Sequence, residues 1–333
     1  MLPKYPGQGP RDLSRPLEQV KVLIDASLDG QRLDLALAAV LTWRSRSSIH
    51  RLIDAGLVHL NDRDVPASRK VRVGDTIIVE IPPDARAAPK EGATDLTVLY
   101  EDQWLVAIDK PPGMAVHPSG RHLAGTLMQE LHRRYRHPED PAHDVLPRLL
   151  HRIDLETSGV VAVGLHERFH QLVSRQFEDR LVHKTYLAVV HGRPTAPEGV
   201  IDRPIVSDKN SAVRLKLTTS DTGGLSAMTQ YRVLRANDRY SLLEVMPKTG
   251  RTHQIRVHMA WLGCPLVGDK LYGADERMFL HQIAGTLDDQ HRHQLVLERH
   301  ALHSHQLTFR HPMIEQDLTL TAPLPLDMAA LLD

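Results

Sequence analysis

The stretch HRIDLETSG at residues 151–159, followed by VVAV at residues 160–163, decides how the second half of this chain folds. The uncharged apolar run predicts a buried strand. The hydroxyls and glycine before it are typical of a tight loop at the strand's start. Asp154 lies in that loop. Because loops held by a rigid scaffold carry much of protein chemistry, Asp154 is the first candidate for a reactive group, and a solvated aspartate in a surface turn is the alternative.

Length and composition indicate a globular protein of about two domains. The chain has 333 residues, of which 41% are hydrophobic and 25% are charged. No uncharged apolar run approaches the roughly 20 residues of a membrane helix. Residues 1–17 are rich in proline, glycine and charge and lack an apolar signal core, so we expect a disordered lead-in. We therefore expect a cytoplasmic protein with no membrane partner.

The cysteine content excludes an intrachain disulfide, and the charge content leaves nucleic-acid binding open. Cys264 is the only cysteine, so the chain has no intrachain disulfide, which suits a reducing compartment. Lys and Arg number 41, and so do Asp and Glu, giving zero formal net charge. A neutral total argues against a nucleic-acid binder. However, residues 42–51 and 248–258 carry basic side chains and no acidic ones, which permits local basic faces.

The N-terminal part of the chain has the pattern of a small mixed domain. Apolar spacing predicts helices over residues 32–41 and 45–55, with Gly56 ending the second. A strand entering a turn is predicted at residues 57–62, and a turn followed by a strand at 71–79. A linker rich in proline, alanine and charge follows at residues 84–95.

This pattern over residues 18–83 resembles the S4 RNA-binding domain. The family usually has Asn-Gly at the turn, where this chain has Asn61 and Asp62. The resemblance implies that Arg44, Arg46 and Arg51, on or beside the second helix, contact RNA phosphates. A small structural module with solvated arginines is the alternative.

Residues 96–333 are predicted to form one larger α+β domain. A hairpin is predicted at residues 97–108, and helices at 122–134 and 167–179. Further strands are predicted at residues 160–163, 186–190, 231–234, 241–245 and 318–321. Many strands that do not alternate strictly with helices favour a mixed, mainly antiparallel sheet over a doubly wound fold.

Four segments of this domain resemble, in chain order, the RluA-type RNA pseudouridine synthases. They are DKPPGMAVHP at residues 109–118, HRIDLETSG at 151–159, KTY at 184–186, and GRTHQIRVH at 250–258 with PLVGD at 265–269. The tail at residues 301–312 is also similar. In the HRLD-x-x-TSG signature, Ile153 replaces the usual leucine, which conserves volume.

The resemblance implies an enzyme that isomerises uridine to pseudouridine. The N1–C1′ bond must break and the uracil must rejoin the sugar through C5, a reaction that needs no redox cofactor or metal. Asp154 would act either as a covalent nucleophile or by stabilising positive charge at C1′. Arg256 would be its charge partner, and Tyr186 would stack on the uracil and serve as a base for the C5 proton.

The resemblance also gives substrate-binding roles to the residues around the loop. The target uridine must leave its stack, and Arg152 would fill the gap. His151 shapes the loop beside the substrate. Thr157 and Ser158 either cap the turn or contact substrate. The expected partner is RNA, with ribosomal RNA favoured and transfer RNA the alternative, and the protein is expected to be a monomer.

Three alternatives compete with this interpretation. A non-catalytic RNA-binding protein would have no chemical need for Asp154, Tyr186 and Arg256. A glycoside hydrolase needs two carboxylates flanking the bond, and Glu156 is the nearest in sequence. A metal site would draw on the histidine pairs at residues 291 and 293 or 303 and 305, which lack the context of a zinc motif, so no metal is expected.

Overall fold

A computed structural model describes residues 13, 19–41, 46–80, 95–118, 122 and 124–333. The chain divides into two compact units. The first contains the described residues up to Asp95 together with Ala115–Pro147, and the second consists of Leu96–Met114 and Arg148–Asp333. The predicted bounds of 18–83 and 96–333 stay a prediction. The lead-in and linker predictions fall almost entirely outside the described residues.

The first unit contains a four-stranded antiparallel sheet and three helices. Its elements are β1 Gln19–Leu23, α1 Leu33–Val40, α2 Arg46–Asp54, β2 Val58–Leu60, β3 Arg63–Asp64, β4 Thr76–Glu80 and α3 Leu127–Tyr135. The strand order is β1-β4-β2-β3. Helices were predicted over α1 and α2, and both are confirmed. Asn61 and Asp62 both have positive φ, 50° and 60°, which is the backbone of a tight hairpin turn that these residue types tolerate.

The helix predicted over residues 122–134 begins later than expected, at Leu127. The four-residue leucine spacing that suggested an earlier start runs through Gly125, whose φ of +67° is incompatible with a helix. Thr126 and Gln129 form a reciprocal capping box at the true start.

The second unit is built on a ten-stranded sheet. Its strands are β5 Thr97–Glu101, β6 Leu105–Lys110, β7 Arg148–Leu149, β8 Ser158–Gly164, β9 His183–His191, β10 Glu198–Asp202, β13 Met228–Ala236, β14 Tyr240–Pro247, β15 Leu302–His311 and β16 Gln316–Thr321. Strands β11 Ile205–Ser207 and β12 Leu217–Thr219 form a separate two-stranded sheet. The main order is β10-β13-β14-β9-β15-β8-β6-β5, with β16 on β15 and β7 on β8. Only the pair of β15 and β8 is parallel, so the predicted α+β class with a mixed, mainly antiparallel sheet is confirmed.

Helices pack on this sheet and position the candidate residues. They are α4 Glu167–Glu178, α5 Gln254–Trp261, α6 Arg277–Ala284, α7 Asp289–Leu295 and α8 Leu326–Ala329, with a 3₁₀ turn at Ala330–Leu332. Ile255 and Met259 of α5 pack against Ala188 of β9 and Val245 of β14. In the described part of the chain, no helix is long and apolar enough to cross a lipid bilayer.

Candidate active site

The loop before β8, the start of β9 and the beginning of α5 meet at a cavity of about 500 Å³. Asp154, Tyr186 and Arg256 all line this cavity, although they come from three separate segments of the chain. The structure therefore brings together the three residues that the sequence singled out for chemistry.

Lys110 at the end of β6 anchors the Asp154 loop. Its side chain is fully buried, and its Nζ donates to the carbonyls of Pro111 and Met114 at 2.8 Å and of Leu155 at 3.2 Å. Burial lowers the pKa of Lys110 to about 7. The amide of Gly113 donates to the same Leu155 carbonyl at 2.9 Å, so the peptide next to Asp154 is held from two sides.

The Thr-Ser-Gly segment joins the loop to the sheet. Gly159 has φ of +105°, and a Cβ at that position would lie 2.2 Å from the carbonyl oxygen of Ser304, so only glycine permits this approach of β8 to β15. The Thr157 hydroxyl lies 2.7 Å from Nε2 of His300, and the Ser158 hydroxyl 2.9 Å from Nδ1 of His303. Buried histidines therefore engage both hydroxyls, and their capping of the turn or contact with substrate stays a prediction.

Asp154 is an ionised carboxylate that reaches the cavity. Its side chain is 26% exposed, and Oδ2 accepts a hydrogen bond from Nη1 of Arg256 at 3.2 Å. Burial acts to raise the pKa of Asp154, but the electrostatic effect of His253 and Arg256 outweighs it and brings the pKa to about 2. In the part of the chain that the structure describes, Oδ1 of Asp154 has no hydrogen-bond donor.

Arg256 is fixed by a second, fully buried aspartate. Its Nε and Nη2 donate to the two oxygens of Asp269 at 2.7 and 2.9 Å, and its guanidinium lies 5.0 Å from the ring centre of Tyr272. Burial disfavours the charged form, but Asp269 and Asp154 more than compensate and raise the pKa of Arg256. This bidentate pairing leaves Nη1 for Asp154 and sets its direction.

Asp269 is the site residue that sequence reasoning missed. Its Oδ1 also accepts from the amides of Leu271 and Tyr272 at 2.9 and 3.0 Å. Gly268 before it has φ of +74°, and a Cβ there would lie 2.1 Å from the Arg299 carbonyl oxygen. The available signal was the acidic residue after a glycine in PLVGD, directly following an apolar run.

Tyr186 lies on β9, directly opposite Ser304 of β15. Burial, together with the negative charge of Asp154, raises the pKa of Tyr186 to about 12. At neutral pH this side chain is therefore a protonated phenol with an aromatic ring at the cavity wall.

His151 and Arg152 also line the cavity but differ in exposure. His151 accepts a hydrogen bond at Nε2 from the Ala162 amide at 3.0 Å and stacks on Phe177. Burial lowers the pKa of His151 to about 3, so the ring is neutral. Arg152 is exposed. His151 thus secures the loop, and Arg152 presents its side chain at the cavity.

Comparison with known proteins agrees with this geometry. The sequence model of the RNA pseudouridylate synthase family matches residues 104–261, which include Asp154, Tyr186 and Arg256. An uncharacterised RNA pseudouridine synthase of Bacillus subtilis, YlyB, is 34% identical over 318 residues, covering 95% of this chain and 98% of its own length. This chain belongs to the RNA pseudouridine synthase family. It is an isomerase, and the alternative of a non-catalytic RNA-binding protein is wrong.

Other relatives of this pseudouridine synthase support the assignment. Ribosomal large subunit pseudouridine synthase D of Xanthomonas campestris is 35% identical and covers 96% of this chain and 94% of its own. The solved structure of human RNA pseudouridylate synthase domain containing 4 is 30% identical, with a TM-score of 0.53 over 70% of this chain and 90% of its own.

The Glu156 carboxylate is engaged by neighbouring groups of the second unit. Its Oε1 accepts from Nζ of Lys270 and from Gln282, both at 2.8 Å, and its Oε2 accepts from the His300 amide at 3.1 Å. The side chain is committed to these partners and is not among those that line the cavity. The described residues contain no group of three or more histidine, cysteine or acidic side chains that could hold a metal ion.

The arginines predicted to contact RNA belong to the first unit. Arg46 donates to Asp34 through Nε and Nη2 at 3.0 and 2.7 Å, although its side chain is 56% exposed. Arg51 on α2 is exposed. Arg44 lies outside the described residues. Arg51 is exposed, and no carboxylate among the described residues pairs with it.

Proposed function

We propose that this synthase isomerises uridines of ribosomal large-subunit RNA to pseudouridine with Asp154 as the catalytic carboxylate and without a cofactor. The observation that carries the proposal is the ionised Asp154, which reaches the cavity. Arg256 forms an ion pair with it, and Asp269 in turn holds Arg256. The ribosomal substrate is favoured because relatives of nearly the same length are named for the large subunit. We expect a cytoplasmic monomer.

Asp154 would act on the glycosidic bond of an extruded uridine. When N1–C1′ breaks, electron density stays on the uracil and C1′ becomes electron-poor. The carboxylate can bond covalently or stabilise this charge, and both require an ionised oxygen that protein donors do not occupy. Oδ1 of Asp154 meets that requirement in the described structure. The uracil then turns, C5 bonds to C1′, and the C5 proton must leave.

Tyr186 is the proposed group for stacking and proton removal. Its ring offers an aromatic face for the uracil. Because its phenol is protonated at neutral pH, Tyr186 can accept the C5 proton only if its own proton moves on. That proton would pass to water in the cavity, because the Ser304 hydroxyl opposite Tyr186 already donates to the Val160 carbonyl at 3.2 Å.

Arg152 and the N-terminal part of the first unit, residues 18–83, are the proposed RNA contacts. Extruding a uridine costs a few kcal/mol of lost stacking, and a planar guanidinium such as Arg152 can replace part of it. The N-terminal unit would act as an S4-like RNA-binding domain. Arg51 is its best-supported phosphate contact, because Arg46 is already paired with Asp34.

The direct test uses RNA labelled with tritium at C5 of uridine, because C5 loses its hydrogen on becoming the glycosidic carbon. Unmodified large-subunit ribosomal RNA should release tritium when mixed with the enzyme, and release should persist in EDTA. Release from transfer RNA alone would overturn the ribosomal assignment. Loss of release in EDTA, restored by a transition metal, would overturn the cofactor-free chemistry.

A further inference from the structure

Lys184 is a charged side chain of the cavity to which the mechanism gives no task. It lies near the start of β9, two residues before Tyr186, and both line the cavity. Residues two apart in a strand point to the same face, about 7 Å from each other. Lys184 is half-buried, so its ammonium is partly withdrawn from water.

Other buried lysines of this unit have partners, whereas Lys184 has none among the residues that the structure describes. Lys110 donates to three carbonyls, and Lys270 pairs with Glu156 at 2.8 Å. Within the described ranges, no carboxylate or hydrogen-bond acceptor is assigned to Nζ of Lys184. Burial lowers the pKa of Lys184, as expected for a cation that the protein itself does not compensate.

The surroundings of Nζ leave room for a ligand. A Cβ added at Gly250 would lie 3.6 Å from Nζ of Lys184, so the ammonium lies beside a position that has no side chain. Gly250 also lines the cavity. An uncompensated ammonium at this wall attracts an anion, and the anionic part of an RNA substrate is its phosphodiester, since uracil and ribose are neutral.

We propose that Lys184 binds the phosphate that flanks the extruded uridine while Tyr186 stacks on the base. Because the two residues lie about 7 Å apart on one face of β9, a base against Tyr186 leaves its flanking phosphate within reach of the long Lys184 side chain. The inference rests on the proposed function, because it takes the uridine to lie against Tyr186. Lys184 is a substrate-positioning residue, since it contacts neither C1′ nor C5.

The test compares the binding of uridine, uridine 5′-monophosphate and uridine 3′-monophosphate to the full-length enzyme by ligand-observed NMR titration. The wild type should bind one monophosphate about tenfold more tightly than uridine, as expected for one charge-assisted hydrogen bond. K184Q should remove this preference, and K184R should restore it. The preferred monophosphate identifies the side on which the phosphate lies. K209Q removes an exposed lysine outside the cavity lining and is the matched control.

Equal binding of uridine and both monophosphates by the wild type would overturn the proposal. A preference that survives in K184Q, or one that K209Q also removes, would overturn it as well. This experiment needs no isomerisation, so the phosphate site can stand even if no RNA releases tritium. Where RNA is turned over, K184Q should raise KM about tenfold and leave kcat nearly unchanged, because the lysine binds the substrate without contacting the reacting atoms.

Discussion

Asp34 in the N-terminal unit and Asp154 in the second unit are both aspartates paired with arginine, yet their environments are opposite. The Asp34 side chain has no exposed surface, and its oxygens accept from Arg32, Arg46 and His50 at 2.7 to 3.3 Å. Asp154 is 26% exposed, and among the described residues its one donor is Arg256 at 3.2 Å. Cationic neighbours lower the pKa of both carboxyls against the effect of burial.

The difference separates a carboxylate enclosed by its own unit from one that is open to a cavity. An aspartate whose oxygens are all occupied by side chains of its own unit can stabilise that unit but cannot approach a substrate. Asp154 keeps its charge because Arg256 is held by Asp269, and it keeps an oxygen toward the cavity because Arg256 offers it only Nη1. Asp269 thus stabilises the charge of Asp154 indirectly, through Arg256. A substrate at Asp154 does not have to displace Asp269.

Removal of Arg256 should have the largest effect of the substitutions that leave Asp154 in place. R256M should lower the single-turnover rate by about a hundredfold or more, the scale for loss of one pre-organised charged donor. RNA binding should change little, because the guanidinium is buried against Asp269. The rate is measured at saturating RNA, beside the dissociation constant. A variant that loses RNA affinity but keeps its rate would make Arg256 a phosphate contact.

The dependence of the rate on pH tests whether Arg256 keeps Asp154 ionised. Asp154 has a lowered pKa of about 2, so its carboxylate is lost only as pH falls through that value. The wild-type single-turnover rate should therefore show no Asp154 limb between about pH 4.5 and pH 6.5. In R256M the effect of His253 remains but that of the guanidinium is lost, so the pKa of Asp154 should rise and the acid limb should shift toward higher pH. Identical pH profiles would show that Arg256 does not control the ionisation of Asp154.

Asp34 is expected to matter for stability and not for turnover. D34N should lower the free energy of unfolding by about 2 kcal/mol, less than for a fully buried pair because its partners are partly exposed. Thermal melting measures this loss, and kcat is measured well below the melting temperature. A large fall in kcat with unchanged melting would remove the distinction between the two aspartates.

Arg51 should show the smallest effect. R51Q should weaken RNA binding about two- to threefold and reduce the slope of log affinity against log salt concentration by about one, as expected for one phosphate contact. The rate at saturating RNA should be unchanged. Affinity and salt slope equal to the wild type's would make α2 of the N-terminal unit a structural helix rather than an RNA contact.

Sequence patterns predicted the elements with strong local signals and missed those defined by distant partners. Uniform apolar runs located β8 and β9. The strand β15 was missed because its pattern LHSHQLTFRH places histidines where apolar residues are expected. His303 and His311 of β15 are nevertheless fully buried, and His303 is stabilised by a hydrogen bond to Ser158, which lies 145 residues away in sequence.

The candidate site, too, was predicted only in part from the sequence. The motif resemblance pointed to Asp154, Tyr186 and Arg256, and the structure brings them to one cavity. It could not show that Asp269 directs Arg256, nor that Glu156 is committed to Lys270. Both facts depend on ion pairs between residues that are distant in sequence or share no local pattern.

D154N tests whether the charge of Asp154 drives the isomerisation. The amide keeps the shape of the side chain but has neither charge nor nucleophilicity. Tritium release from C5-labelled ribosomal RNA is followed at saturating RNA in a single turnover, with melting temperature and RNA affinity measured on the same preparation. We expect no release above background from D154N, although the variant should fold and bind RNA like the wild type. Release at the wild-type rate would contradict this expectation.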